Sequence, residues 1–199
     1  MKKIFLLFAI GLFVNTITAQ VKPYVGIKAG LNFTNYDIEA DFDYKSNTGF
    51  HIGAVGHLPL GEKAGLQLEA LYSAEQAATD YDTVAFNEVD LDYIEVPLLF
   101  TYNLTKGLQI QAGPQFELKV NSEVSLNDGI NFGTDEDSVK QEIEDDFKSM
   151  NFNTAVGVQY TLPAIGIFAQ ARYVYGITDI SETMDLTSNQ FLLSVGMKF

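Results

Sequence analysis

The residues of this chain with chemistry in them are two histidines and six isolated charges. His51 and His57 are the only histidines. In an extended segment they share a face but stand about 20 Å apart, at roughly 3.3 Å per residue. One metal ion cannot take both, and there is no cysteine to complete a tetrahedral set. A hydrolytic site on either ring needs a facing nucleophile, and no motif in the sequence supplies one. No catalytic residue, metal ligand or cofactor is therefore expected. Lys28, Glu69, Glu95, Glu117, Lys119 and Arg172 are different, because each is a charge within a segment of alternating polarity. Buried together they would have to pair, since an unpaired buried charge is expensive. A network of ion pairs filling an interior is the expectation, and a charged gate in a narrow passage is the alternative.

One acidic stretch invites a second chemistry. Residues 135–146, DEDSVKQEIEDD, carry acids at the first, third and twelfth positions of a would-be calcium loop. The loop has Lys140 in place of its central glycine, and Val139 stands where a ligand belongs. Solvated surface charge is the plainer reading. Val139, Ile143 and Phe147 recur at helical spacing, which predicts a short surface helix over 138–149.

What positions these residues is a period of two. In the segment 189–199, Phe191, Leu193, Val195, Met197 and Phe199 alternate with Gln190, Leu192, Ser194, Gly196 and Lys198. Successive side chains of a strand point to opposite faces, so this is a strand with one apolar and one mainly polar or small face. The same alternation recurs over 24–34, 49–58, 65–75, 91–102, 108–121, 151–162 and 165–176. Eight strands of about ten residues match the length of a tilted membrane-crossing strand. The connections alternate long, short, long, short, long, short, long. That is the plan of an all-β, eight-stranded antiparallel up-and-down transmembrane barrel, with short periplasmic turns and long extracellular loops.

A soluble eight-stranded barrel also alternates, with its charges turned to water. Here the polar face is rich in Gly, Gln, Asn and Ser, which suits a narrow interior. All six isolated charges fall on it. Of the 26 acids, only Glu62, Glu69, Glu95 and Glu117 lie outside the four long connections and their flanks. A basic residue at the lipid midplane costs about 2–4 kcal/mol, so a lipid-facing surface has to be free of such charges.

Residues 1–19 form a separate unit. A basic head at Lys2-Lys3, an apolar run from Ile4 to Val14 and a small residue at Ala19 read as a secretory signal peptide, leaving 20–199 as one barrel domain. The apolar run is too short to span a bilayer. The formal charge of −14 gives the chain no electrostatic reason to bind nucleic acid.

PYVGIKAGLNFTN at the first strand, GFHIGAVGHLPL at the second and LDYIEVPLLFTYNL at the fourth carry a resemblance. So do LQIQAGPQFEL, ARYVYGITDI and the final FLLSVGMKF. In these segments the chain resembles the PorT-like outer-membrane β-barrels, a porin family of the Bacteroidetes type. The resemblance implies a Gram-negative outer membrane and a barrel; it names no substrate. The expected partners are outer-membrane lipid and the barrel-assembly machinery during insertion, with the chain a monomer. The expected function is a non-enzymatic narrow pore or structural barrel. The alternative is a surface interaction or adhesion module using the acidic loops.

Overall fold

A computed structural model describes residues 22–38, 47–78, 86–126, 146–181, 183 and 186–199. The signal peptide expected over 1–19 and most of the segment 135–146 lie outside these residues. Eight strands run β1 (Tyr24–Ile38), β2 (Asn47–Pro59), β3 (Ala64–Ala78), β4 (Phe86–Asn103), β5 (Leu108–Leu126), β6 (Met150–Thr161), β7 (Ile167–Gly176) and β8 (Leu186–Lys198). Each pairs antiparallel with its neighbour in sequence, and β1 pairs with β8 to close the barrel. Closure leaves no sheet edge along the wall, which a bilayer demands because nothing in its core can satisfy a free backbone group.

The polarity is inverted relative to a soluble domain. Val25, Ile52, Leu68, Val156 and Val195 are each more than half exposed. The buried set is mainly polar, including Asn32, Gln67, Ser73, Gln111, Gln115, Gln159 and Gln190. Such an apolar outer surface would be a liability in water and is the natural one in lipid. Apolar packing inside is confined to patches such as Leu99, Ala155, Val174 and Leu192.

Several strands are longer than the alternation predicts. β4 has 18 residues and β5 has 19, against the nine to eleven or so that cross a membrane. Their hairpin runs on into the acidic stretches, so Asp90 and Asp92 sit in a ladder, on the outward register of β4. A wet surface accepts acids there without penalty, and pairing continues. At the other extreme β7 begins at Ile167 rather than at 165, because Gly166 turns the chain with φ 72° and accepts a hydrogen bond from Lys198 N. Of the helix expected over 138–149 only the end is described: Asp146 is helical, and the helix stops there rather than at 149. Phe147 bridges Ser181, Lys148 N donates to the Ile180 carbonyl, and Met150 opens β6.

One irregularity changes which side chains face in. Asp92 pairs with Asn121 while Tyr93 pairs with Lys119, so Val120 is an extra residue on β5. A bulge of this kind lets two successive residues face the same way. Val120 and Asn121 are both exposed, and Asn121 points outward, not inward as strict alternation requires.

Candidate functional site

The barrel interior gathers the candidate residues, and the eight strands set their positions through inward parity. Lys28 comes from β1, Glu69 from β3 and Arg172 from β7. Lys28 Nζ lies 2.7 Å from Glu69 Oε2, and Arg172 Nη2 lies 2.6 Å from Glu69 Oε1. Arg172 Nη1 adds a second bond to Oε2 at 2.9 Å, making the guanidinium bidentate. Gln67 Nε2 donates to Oε1 at 2.6 Å. Glu69 thus accepts from four donors, all buried, and the three charges bridge the lumen. Arg is suited to this position because its fixed fork matches both carboxylate oxygens.

Below the triad lies a lattice of glutamines. Lys28 Nζ donates to Gln170 Oε1 at 2.9 Å, Gln170 Nε2 to Gln111 Oε1 at 2.8 Å, and Gln111 Nε2 to Gln159 Oε1 at 3.3 Å. Arg172 Nη2 also reaches Gln111 Oε1 at 3.3 Å. An amide both donates and accepts, so one residue type can tile the cross-section of a narrow barrel.

The other candidate charges take no part in the triad. Glu95 and Glu117 stand directly opposite one another on β4 and β5. Gln115 Nε2 bridges them, at 3.4 Å to Glu95 Oε2 and 3.0 Å to Glu117 Oε1. Lys119 is half-buried toward the extracellular end, where its Nζ donates to the Phe147 carbonyl at 2.7 Å. The six charges therefore separate into a triad, a carboxylate pair and a lysine engaged by the outer chain. Glu75 belongs with them and was not among the expected six. It is buried and accepts from Gln190 Nε2 at 2.7 Å and from Thr34 Oγ1 at 3.3 Å. Its signal was its parity with Gln67, Glu69 and Ser73, hidden by its place at the edge of an acidic stretch.

Both histidines use one device. His51 on β2 lies beside Gly30 on β1, and Gly30 lies beside Ser194 on β8. The imidazole crosses over the glycine, with Nε2 at 2.7 Å from Ser194 Oγ and Nδ1 at 2.5 Å from Asn32 Oδ1. A Cβ on Gly30 would lie 2.6 Å from His51 Cε1. His57, whose register partner on β3 is Gln67, reaches diagonally over Gly65 of the same strand and bonds Thr101 Oγ1 on β4 at 3.0 Å. Asn32, His51 and Ser194 reproduce the order of orienter, base and nucleophile. They are buried, at 0%, 1% and 5% exposure, with the ring packed against Gly30. Chemically the arrangement ties three strands together. No group of histidine, cysteine or acidic residues among the described residues has the geometry to hold a metal ion. Asp146, the described end of the acidic stretch, accepts from Ser181 Oγ at 2.5 Å and Thr183 N at 3.1 Å.

Comparison with known proteins agrees with this architecture. A family model described as outer membrane protein beta-barrel domain matches residues 19–182. The fold is similar to Neisserial surface protein A, with a TM-score of 0.59 at 14% identity over 90% of this chain and 100% of that one. It is also similar to Ail, the attachment invasion locus protein of Yersinia pestis, at 0.54 and 12% identity over the same shares. A second structure of Ail, in complex with the heparin analogue sucrose octasulfate, gives 0.53 at 14% identity over the same shares. No curated protein matches the sequence. With an eight-stranded closed wall, an apolar exterior and a family match over most of its length, the chain belongs to the outer membrane protein beta-barrel domain family.

Proposed function

We propose that this protein is a non-enzymatic outer-membrane barrel whose lumen is sealed and whose acidic extracellular connections make its contacts. The observation that carries this reading is the Lys28–Glu69–Arg172 bridge, with side-chain exposures of 0–1%. A solute or ion passing through would have to break a bidentate pair and a glutamine lattice, each bond formed away from water. Surface contact is supported by the β4–β5 hairpin, which stands well above the membrane-crossing length. It is further supported by the charge of the outer half, and by the likeness of fold to an attachment invasion locus protein.

In this reading residues 1–19 are removed on export and 20–199 insert as a monomer through the barrel-assembly machinery. The exposed apolar wall meets lipid, and nucleic acid is not a partner. The finer kinship is to the PorT-like barrels, resting on the strand motifs quoted above.

Conductance tests the seal. The purified barrel in a planar bilayer is expected to give no discrete steps, while Glu69→Ala combined with Arg172→Ala opens the lumen and produces them. Reproducible single-channel steps from the unaltered protein would overturn the sealed reading in favour of a narrow passive pore.

A further inference from the structure

The end of the barrel that carries the short turns has a different chemistry from the acidic end. A cavity of about 570 Å³ opens there, between the turns following β2, β4 and β6. Lys63, Lys106 and Lys198 line it against one acid, Glu62, in a chain whose formal charge is −14. Lys63 and Lys106 stand exposed on the turns. Lys198 is held in place. Its ammonium lies 4.3 Å from the centre of the Tyr24 ring and 5.7 Å from that of Phe168. Ring faces orient a cation without neutralising it, and no carboxylate among the described residues forms an ion pair with Lys198.

A second observation points the same way. His57 lines this cavity, stacked on Tyr24 at 4.8 Å with 10° between the planes. It is 4% exposed, and its Nδ1 has no hydrogen-bond partner. In the tautomer in which Thr101 donates to Nε2, Nδ1 carries a proton with nothing to receive it. Asn103, Thr105, Gln109 and Thr161 add neutral hydrogen-bonding groups to the lining. A half-buried unpaired ammonium, two exposed lysines and amide and hydroxyl donors are the components of an oxyanion site.

The acids of the far end do not cancel this. A strand of ten residues spans about 33 Å, several times the roughly 8 Å over which physiological salt screens exposed charge. We propose that the periplasmic mouth binds an oxyanion, a carboxylate or phosphate group, with Lys198 as its fixed contact and Lys63 and Lys106 closing over it. The cavity is much larger than a single tetrahedral ion, so the group is carried on a larger periplasmic molecule.

Calorimetric titration of the barrel, purified in a maltoside detergent, tests this with two probes, inorganic phosphate and succinate. Saturable binding of either is expected, and the stronger of the two names the source, phosphate or carboxylate. Lys198→Gln should weaken it at least tenfold, and Lys63→Gln with Lys106→Gln several-fold. Circular dichroism checks that Lys198→Gln retains the barrel. Should it not, the double variant on the exposed turns carries the test alone. Absence of saturable binding by the unaltered barrel, or an affinity unchanged in the folded variants, would overturn the proposal.

Discussion

At the centre of the lumen Glu69 is met by Lys28 and Arg172. Further out, Glu75, Glu95 and Glu117 are equally buried, and their hydrogen bonds come from Gln190, Thr34, Ser73 and Gln115. No ion pair joins these three to a lysine or arginine among the described residues. Glu95 Oε1, Gln115 Oε1 and Gln190 Oε1 are buried without partners. The same residue type, on the same inward register, thus has two roles. At the centre a carboxylate is an anchor that fixes strands on opposite sides of the barrel. In the outer half carboxylates are held loosely by neutral groups, two of them directly opposed. The ion pairs are concentrated in the centre, and the buried carboxyl groups of the outer half are met by neutral donors.

The largest expected effect follows from breaking the centre. Arg172→Met removes the bidentate fork and leaves Glu69 with Lys28 alone. Removing one partner of a buried pair costs about 3–5 kcal/mol. Urea unfolding of the barrel in vesicles, followed by far-ultraviolet circular dichroism, should show a loss of that order. A loss below about 1 kcal/mol, the value of an exposed pair, would mean that the central pair is hydrated like one at the surface.

Alternation made the strands legible, because a period of two is local and each inward or outward assignment rests on a residue's immediate neighbours. Lys28, Glu69, Glu95, Glu117 and Arg172 could be placed inside for that reason. Which of them meet could not be read. The Arg172–Glu69 bond spans a sequence separation of 103 residues, and it depends on the stagger of strands around the barrel. Ser194 was invisible as a partner of His51 for the same cause, since only the β2–β1–β8 register sets Gly30 between them. The bulge at Val120 breaks local parity outright. The reach of β4 and β5 was hidden because backbone pairing above the membrane is indifferent to the acids it carries.

The glycine crossing should come next in size. Gly30→Val places a side chain where a Cβ would already lie 2.0 Å from the Leu193 carbonyl oxygen and 2.6 Å from His51 Cε1. Overpacking of this kind costs about 1–3 kcal/mol, and the same urea transition reads it. His51→Ala in the Gly30→Val background should recover part of the loss by clearing the ring from the gap. Equal stability of Gly30→Val and the unaltered barrel would show that the imidazole does not cross there.

The smallest effect has the opposite sign. Glu117 stands directly across from Glu95, and like charges opposed in neighbouring strands destabilise a sheet by roughly 0.2–1 kcal/mol. Glu117→Gln keeps the shape of the side chain and an acceptor for the Gln115 amide while removing one of the two opposed acids. It should stabilise the barrel by up to about 1 kcal/mol in the same urea transition, at neutral pH. The isosteric change at the centre, Glu69→Gln, should destabilise it, because Lys28 and Arg172 then lose their shared counter-charge. Opposite signs from one substitution at two buried glutamates are what the division of the lumen requires. A loss of stability at both positions would mean that Glu117 is held by a bond of its own, to a cation or through a proton shared with Glu95, and that the outer half is anchored as firmly as the centre.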